Sequence, residues 1–384
     1  MTRLYLDHNA STFMRDDVKA AMAAAMDVDG NSTSQHAEGR AAQGLIARAR
    51  DHVGLAMGVC AQDVVFTSGG TESCNTAIWS AHRAGCKHLL ISSMDHSATL
   101  NAVETFGISH TLIPVDRSGR TDTTWLKHQL ETWDVANGRP FVSIVAANSE
   151  TGVVQDIETI TDIVSDANGL LFVDATQAFG KIPMTFQPDY MAVSAHKIGG
   201  PKGIGALYVS PDAPFTPLLS GGGQEKRRRS GTHNVAAIAG FGTASETLID
   251  FQSTKAVRDL FEAKLAEIEP ELVIFGGESQ RLPNTSFFAV PDASSMTLMM
   301  ALDLEGISVS TGTACSSGKT GESKSIRAMG RSDEAPKGAI RVSFGINYTE
   351  LDIDRFIDAW AKIRRLKRQG VCLLYTSPSP RDRG

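Results

Sequence analysis

No stretch of the 384-residue sequence approaches the roughly 20 consecutive apolar residues that a helix needs to cross a bilayer. The N-terminal sequence MTRLYLDHNA also lacks the basic and then apolar layout of a secretory signal. These two absences predict a globular, cytoplasmic protein that does not associate with membranes. Hydrophobic residues make up 42% of the chain, which is enough for a core larger than that of one minimal domain.

The sequence also lacks the basic surface that nucleic-acid-binding proteins use. It has 37 Lys and Arg against 43 Asp and Glu, which gives a net charge of −6. The one basic cluster, EKRRRS at 225–230, is interpreted as a solvated loop. We therefore expect no nucleic-acid partner.

Cysteines are few and show no pairing pattern. The five cysteines are Cys60, Cys74, Cys86, Cys315 and Cys372. Their odd number and the absence of a C-x-x-C spacing argue against a disulfide framework and against a structural zinc site. We expect a reducing compartment and no metal site.

Short apolar runs recur along the first two thirds of the chain. Each is bounded by turn residues and separated from the next by a helix-length segment, and they lie at 64–67, 88–92, 141–147, 170–174 and 205–210. This alternation predicts an α/β fold with a mainly parallel sheet flanked by helices.

After about residue 250 the pattern changes to longer amphipathic stretches, at 254–272 and 350–369, with a Gly/Ser/Thr-rich piece between them. We predict a large domain over 15–250 and a smaller α+β lobe formed by 1–14 and 251–370. Residues 371–384 abandon the helical periodicity, end in SPSPRDRG and resemble translated adaptor sequence. They are predicted to be a non-native tail.

The segment VVFTSGGTESCNTAI carries an apolar strand through Gly70 and Thr71 into a helix. Small residues and free backbone N–H groups at a helix N-terminus bind phosphate. No G-K-[ST] follows, which excludes a Walker loop. On this stretch alone, an ordinary strand-turn-helix with a capping threonine remains an alternative.

Two more groups follow apolar runs further along the chain. Asp174 ends the run in LLFVDATQAFGKI, at the carboxyl edge of the predicted sheet where α/β proteins bind ligands. It is either a helix N-cap or a partner that keeps a heteroaromatic nitrogen protonated, with Gln177 near a neighbouring ring substituent. Lys197 follows the next short strand in VSAHKIGGPKG, where glycines allow a cofactor to approach the backbone closely.

A phosphate site, a ring-nitrogen carboxylate and a lysine at a strand end are the groups that pyridoxal-phosphate enzymes use. The lysine is attached to the cofactor aldehyde, and the aspartate makes the ring an electron sink. Ser194 and His196 are placed to donate to the phosphate. Each residue alone would more often be structural, but the ordered set predicts pyridoxal 5'-phosphate as the cofactor.

The sequence resembles the cysteine desulfurases of the NifS and IscS branch, within the class V aminotransferases of the fold-type-I pyridoxal-phosphate enzymes. The resemblance covers about residues 4–368 and rests on YLDHNAST, FTSGGTES, NSETGVVQDI, FVDATQAFGKI, SAHKIGGPKGIGALYV, GGGQEKRRRSGTHNV, LPNTSF, STGTACSSG and IRVSFG. It implies a homodimeric enzyme that converts L-cysteine to L-alanine and passes the sulfur to an iron–sulfur scaffold or another acceptor protein.

The resemblance also implies a role for each matching residue. The cofactor would be held by Lys197, by Asp174 at the ring nitrogen, and by Asn148 and Gln177 at the phenolic oxygen. Its phosphate would be bound by Gly70, Thr71, Ser194 and His196, with Thr232 reaching across a dimer interface. His96 would stack on the ring and move protons, although without its motif a surface histidine is the simpler interpretation. Asn9, Asn148 and Arg341 would contact the substrate, with Arg341 clamping its carboxylate.

Cys315 separates a desulfurase from other enzymes of this fold. It lies in SVSTGTACSSGKTGESKS, a polar stretch that predicts an exposed loop with an accessible thiol. A transaminase needs no such thiol, whereas a desulfurase needs a thiolate to attack the sulfur of bound cysteine and form a persulfide. The length of this segment resembles the NifS and IscS branch rather than the SufS branch, which implies delivery to a scaffold protein.

Some positions depart from the family pattern. His8 stands where many relatives have asparagine, Lys226 and Arg227 replace a usual Arg-Gly pair, and Ile346 replaces a common arginine. A selenocysteine lyase or a small-amino-acid aminotransferase on the same fold remains an alternative. A non-catalytic relative typically loses the lysine, so the presence of Lys197 argues against one.

Overall fold

The computed structural model describes residues 3–312 and 323–368. Within these ranges the strands are β1 (Leu4–Tyr5), β2 (Val64–Thr67), β3 (His88–Ser92), β4 (Ser109–Ile113), β5 (Phe141–Val145), β6 (Leu170–Asp174), β7 (Tyr190–Ser194), β8 (Gly205–Val209), β9 (Val273–Ile274), β10 (Thr285–Ala289), β11 (Ile307–Ser308), β12 (Ser310–Thr311) and β13 (Ile340–Ser343). The helices are α1 (Asp16–Met26), α2 (Ala37–Met57), α3 (Gly70–Arg83), α4 (Ser97–Thr105), α5 (Thr123–Glu131), α6 (Ile157–Asp166), α7 (Val235–Glu246), α8 (Ser253–Ile268), α9 (Ser295–Leu304), α10 (Lys324–Ala328) and α11 (Glu350–Arg368).

The main sheet has the order β2-β8-β7-β6-β5-β3-β4 among the described strands. Strands β7, β6, β5, β3 and β4 pair in parallel, and β8 runs antiparallel to both of its neighbours. Parallel strands covered on both faces bury every residue, which is why LLFVD and FVSIV are uninterrupted apolar or small runs. The α/β fold with a mainly parallel sheet is confirmed.

Alternate side chains of the sheet enter two separate cores. Val173 packs with residues of α2, α6 and α7 on one face, whereas Phe172 packs with residues of α3 and α4 on the other. Helices α2 and α7 approach closely at Gly242, where an ideal Cβ would lie 2.5 Å from the Cα of Ala49. A side chain at Gly242 would separate the two helices.

The C-terminal part of the described chain builds smaller sheets. Strands β12, β13, β10 and β9 form an antiparallel sheet in that order, and β1 pairs in parallel with β11. Helices α8 and α11 pack together over an aromatic core that includes Phe261, Phe356 and Trp360. These helices occupy the two amphipathic stretches that the sequence singled out, while the exact lobe boundaries stay predictions.

Among the helices that the structure describes, none combines the length and the apolar character needed to cross a bilayer. Cys315, Cys372 and the predicted tail at 371–384 lie outside the described residues.

Candidate active site

Asp174 and Ser194 lie at the same edge of the main sheet. Asp174 ends β6, Ser194 ends the parallel neighbour β7, and the register places Asp174 opposite Ala192. A short 3₁₀ turn, Ala195–Lys197, follows β7 directly. Because the carboxyl ends of adjacent parallel strands meet at one edge, Asp174 and the turn that carries Lys197 lie at the same edge of the sheet.

The N-terminus of α3 meets this edge through two glycines. Gly69 has φ +151°, which L side chains rarely adopt, and an ideal Cβ on it would lie 3.9 Å from Ser194 Oγ. An ideal Cβ on Gly70 would lie 2.9 Å from Thr176 Oγ1, and Thr71 is exposed in the first helical turn. The backbone N–H groups of the first turn, with Ser194 and Thr71 nearby, fit the phosphate of pyridoxal phosphate.

Asp174 is buried, with 5% of its surface exposed. Its Oδ1 accepts the Thr176 N–H at 3.0 Å, and its Oδ2 lies 3.9 Å from Cys74 Sγ. Burial, together with the Asp174 charge, raises the pKa of Cys74 well above its usual value. Cys74 is therefore a neutral thiol, and Asp174 retains an oxygen that fits a protonated ring nitrogen.

Lys197 directs its amine to the N-terminal segment that crosses the sheet edge. Its Nζ lies 2.6 Å from the Asn9 carbonyl oxygen and 2.9 Å from that of Ala10. The Asn9 N–H in turn donates to Ser343 Oγ at 2.9 Å, which ties the segment to β13. The lysine amine is thus held by two backbone carbonyls, and Gln177 Nε2 donates to one of them.

Gln177 belongs to the same network through a residue that the sequence analysis missed. The Gln177 Nε2 donates to the Asn9 carbonyl at 2.8 Å, and Lys181 Nζ lies 2.9 Å from both Gln177 Oε1 and Asn9 Oδ1. Burial, reinforced by the charge of Lys197, lowers the pKa of Lys181 well below its usual value. The available signal was its position four residues after Gln177, because that spacing places two side chains on one face of a helical turn.

His196 contacts the same N-terminal segment as Lys197. Its Nδ1 is 3.3 Å from Ser11 Oγ. Burial lowers the pKa of His196 to about 4, and the charge of Lys197 acts in the same direction. His196 is therefore uncharged at neutral pH and would offer a phosphate an N–H donor rather than a positive charge.

A cavity of about 60 Å³ brings His96, Asn148 and Arg341 together. His96 caps α4, with Nδ1 accepting the Ala98 N–H at 3.1 Å. A larger groove, about 910 Å³, opens between the starts of α5 and α6. None of the predicted site residues within the described chain lines that groove.

Arg341 is the only one of these three with a buried donor left unpaired among the described residues. Its Nη1 donates to the Ser149 carbonyl at 2.9 Å and its Nη2 to Asp7 Oδ1 at 2.7 Å, while Nε is buried without a hydrogen-bond partner. A buried guanidinium N–H at a cavity wall is costly unless a ligand satisfies it. The cavity therefore fits a carboxylate.

Asn148 shapes the loop after β5. Its Oδ1 accepts the N–H groups of Glu150 and Thr151, both at 2.9 Å, and its Nδ2 donates to the Met94 carbonyl at 3.2 Å. Its predicted contacts with cofactor and substrate therefore depend on the second amide hydrogen. They stay predictions, as does the substrate contact of Asn9, whose side chain is 1% exposed.

Thr232 is exposed, next to a well-anchored histidine. His233 Nε2 lies 2.8 Å from Glu225 Oε1, and Arg50 binds the same carboxylate through both terminal nitrogens at 2.6 Å. Glu225 thereby fixes the segment that carries Thr232. The role of Thr232 across a dimer interface stays a prediction.

Two buried acids near the cavity were also missed. Asp95 accepts hydrogen bonds from Ser143 Oγ and the Val145 N–H, and burial raises its pKa to about 7. Glu150 accepts a hydrogen bond from Ser323 Oγ, and burial raises its pKa as well. Both belong to motifs quoted above or adjacent to His96, but nothing in a local pattern shows that a carboxyl group will be buried.

Comparison with known proteins gives consistent matches over most of the chain. The family model Aminotransferase class-V matches residues 4–356. A cysteine desulfurase from Cereibacter sphaeroides is 37% identical over 371 residues, covering 93% of this chain and 95% of that protein. Cysteine desulfurase IscS from Dictyoglomus turgidum is 34% identical, covering 94% of each chain. The solved structure of a NifS-like protein from Rickettsia africae superposes with a TM-score of 0.87 at 34% identity, covering 94% of this chain and 99% of that one.

Proposed function

This chain belongs to the class-V aminotransferase family, and on that premise we propose that it is a pyridoxal-phosphate-dependent cysteine desulfurase. The reaction converts L-cysteine to L-alanine and leaves the sulfur as a persulfide on Cys315. The observation that carries the proposal is the meeting of Lys197, Asp174 and the N-terminus of α3 at one sheet edge, beside the cavity of Arg341.

Pyridoxal phosphate, when bound, supplies an electron sink for the charge that develops at the substrate Cα. The residues that would hold it are Lys197 at the aldehyde, Asp174 at the ring nitrogen, Gln177 and Asn148 at the phenolic oxygen, and Gly70, Thr71, Ser194 and His196 at the phosphate. The left-handed glycine before α3 and the buried Asp174 support this assignment.

Arg341 would bind the carboxylate of cysteine. Its unpaired Nε–H supports this role, and a carboxylate there would share the guanidinium with Asp7. Asn9 would line the substrate side through its contact with Lys197. Holding the carboxylate fixes the Cα of the substrate relative to the lysine amine.

Lys197 would remove the Cα proton of cysteine at Nζ. His96, which lines the cavity with Arg341, would also move protons. Because His96 Nδ1 accepts the Ala98 N–H, the nitrogen that exchanges a proton is Nε2. Proton transfer by a positioned side chain contributes typically 10²–10⁴-fold to a rate.

Cys315 would receive the sulfur. Its thiolate would attack the substrate sulfur and form a new S–S bond as the bond between that sulfur and Cβ breaks. The electron pair of the broken bond would go to Cβ, which takes up a proton and becomes the methyl group of alanine. Two other thiols fit this role poorly, because burial raises the pKa of Cys86 to about 11 and raises that of Cys74 well above its usual value. Cys60 precedes the first residue of β2, whereas the candidate site lies at the other end of that strand, near Thr67. The length of β2, about 13 Å, therefore separates Cys60 from the sheet edge that carries the site.

We further propose a cytoplasmic homodimer in which Thr232 completes the phosphate site across the interface. The exposure of Thr232 supports a contact outside its own chain. An iron–sulfur scaffold or another thiol-bearing protein would then take the sulfur from Cys315.

The proposal is tested by the products formed from L-cysteine. Protein loaded with pyridoxal phosphate and supplied with a reductant should release alanine and sulfide in equal amounts. Turnover of selenocysteine alone would assign a selenocysteine lyase instead. Amino-group transfer to a keto acid without sulfide would assign an aminotransferase.

A further inference from the structure

Lys181 is a lysine in an unusual place. Only 3% of its surface is exposed, and its Nζ lies 5.9 Å from the ring centroid of Phe251. Lysine is almost never fully buried unless it is paired with an acid. Among residues 3–312 and 323–368, however, its hydrogen-bond partners are two neutral amide oxygens, at Gln177 and Asn9.

A lysine amine that contacts a side-chain amide determines whether the oxygen or the NH₂ group of that amide faces the lysine. In either protonation state the amine has at least two N–H donors, so the atoms it contacts at 2.9 Å are best satisfied as oxygens, Gln177 Oε1 and Asn9 Oδ1. The opposite ends are then NH₂ groups. Gln177 Nε2 points to the Asn9 carbonyl at 2.8 Å, and Asn9 Nδ2 to Thr285 Oγ1 at 2.8 Å.

These two amides in turn determine the surroundings of Lys197. The Asn9 carbonyl accepts from both Gln177 Nε2 and Lys197 Nζ. The Asn9 side chain also receives Asn284 Nδ2 at 3.2 Å, so each of its polar atoms has a partner. These contacts hold the N-terminal segment around Asn9 in one conformation. Lys181 donates hydrogen bonds to both amides of this network.

We propose that Lys181 is a positioning residue of the reaction, which fixes the side-chain amides of Gln177 and Asn9. Through the first amide it presents the Gln177 NH₂ group to the cofactor. Through the second it holds the Asn9 backbone carbonyl beside Lys197. The inference rests on the proposed function. Without the Lys181 donors, the Gln177 amide would keep only its hydrogen bond to the Asn9 carbonyl. It would then be freer to rotate, and its second N–H would point toward the cofactor for only part of the time.

The test measures the affinity of the cofactor-free protein for pyridoxal phosphate in a double-mutant cycle. Lys181→Met keeps a buried unbranched side chain and removes the donors. It should weaken the affinity about tenfold or more, as expected when buried acceptors lose their hydrogen-bond donor. Gln177→Leu should also weaken it. If Lys181 acts through Gln177, the double variant should lose much less than the product of the two single losses.

Two further variants separate positioning from folding. Lys181→Arg keeps donors and should recover part of the affinity. Lys181→Leu also removes the donors, and it replaces Lys181→Met in the cycle if that variant does not fold. Arg364→Met removes a cation that is equally buried but bound to Glu269 and Asp292. Arg364→Met should lower the midpoint of thermal unfolding. It should change the affinity for pyridoxal phosphate by no more than about twofold and leave the visible absorption band of the bound cofactor unshifted. Lys181→Met, in contrast, should shift that band.

The inference would be overturned if the double variant lost the full product of the two single losses in affinity for pyridoxal phosphate. It would also be overturned if Lys181→Met bound pyridoxal phosphate as tightly as wild type. Wild-type protein that binds the cofactor but releases no sulfide from cysteine would overturn the proposed function. The double-mutant cycle would still test whether Lys181 positions Gln177 for cofactor binding. Wild-type protein that binds no pyridoxal phosphate would overturn both.

Discussion

The guanidinium of Arg341 is bound to the carboxylate of Asp7, with 2.7 Å between Nη2 and Oδ1, while its Nε–H is buried without a partner among the described residues. The ion pair joins β13 to the N-terminal segment that holds Lys197. It fixes the orientation of the guanidinium, and the buried Nε–H supports the proposal that Arg341 binds the carboxylate of the substrate.

Arg341→Lys should raise the KM for L-cysteine about 10-fold to 100-fold, because a lysine provides a point charge in place of the planar fork of donors. Steady-state sulfide release over a range of cysteine concentrations measures the change. Arg258→Lys is the matched control, since Arg258 is equally buried but binds Asp259 and the Leu282 carbonyl. Equal KM values for wild type and Arg341→Lys would show that Arg341 does not bind the substrate carboxylate.

Lys197→Ala should abolish covalent attachment of pyridoxal phosphate. After borohydride reduction, peptide mass spectrometry should find the cofactor on the Lys197 peptide of wild type and no attached cofactor in the variant. Lys202→Ala is the control, because Lys202 lies in the same motif but is exposed. Labelling of Lys202, or of any lysine other than Lys197, would contradict the assignment.

The proposed dimer makes a prediction about mixed subunits. A Lys197→Ala chain mixed with a Thr232→Ala chain should recover activity, because one site per heterodimer then has both residues intact when Thr232 acts across the interface. The activity of the mixture is compared with that of each variant alone. No recovery, or a fully active monomer in sedimentation, would show that the sites are not shared.

Glu225 should stabilise the protein in a pH-dependent way. Burial opposes its ionisation, but hydrogen bonds from His233 and Arg50 lower its pKa from 4.5 to about 2. A folded-state pKa below the unfolded value stabilises the protein above pH 4.5, and this stabilisation is lost as the pH falls toward about 2. Its full size is about 3 kcal/mol.

Glu225→Gln should therefore lower the free energy of unfolding at pH 7 by about that amount, with a smaller difference near pH 3. Denaturant titrations at both pH values measure it. The exposed Glu246→Gln serves as a control and should have little effect at either pH. A deficit in Glu225→Gln that is the same at both pH values would show that charge is not the cause.

The sequence predicted the apolar strands well, because buried parallel strands are continuous apolar runs. Strands β2, β3 and β6 match the predicted limits residue for residue. Strand β4 was missed because SHTLI lies at the sheet edge, is only partly buried and therefore is not a continuous apolar run. The antiparallel placement of β8 was also missed, since strand order depends on tertiary packing and leaves no local pattern.

The structure also accounts for two of the departures from the family pattern. His8 lies 3.0 Å from Thr12 Oγ1 and 2.9 Å from the Tyr348 hydroxyl, so it ties the N-terminal segment to the chain after β13. Burial lowers its pKa to about 4, and it is neutral at physiological pH. Arg227 has φ +67° at the position where glycine is usual, so the left-handed backbone is kept although the glycine is absent.

The placement of the candidate site residues Asp174 and Lys197 at strand ends was predictable, because apolar runs in the sequence mark where those strands end. Lys181 was not, because its role depends on burial and on two amides contributed by distant segments. The ion pair of Arg341 with Asp7 likewise joins residues more than 300 positions apart. Sequence patterns indicate which residues carry chemistry, and packing determines which residues hold them in place.

Sulfide release by Cys315→Ser tests the central claim most directly. The variant should still bind pyridoxal phosphate and L-cysteine, seen as a change in the visible band, because Lys197, Asp174 and Arg341 are intact. It should release no sulfide under reductant, whereas Cys60→Ser, which removes an exposed thiol at the opposite sheet edge, should retain wild-type release. Wild type after one turnover should carry about 32 Da of added sulfur on the Cys315 peptide. Wild-type sulfide release from Cys315→Ser would contradict the desulfurase mechanism.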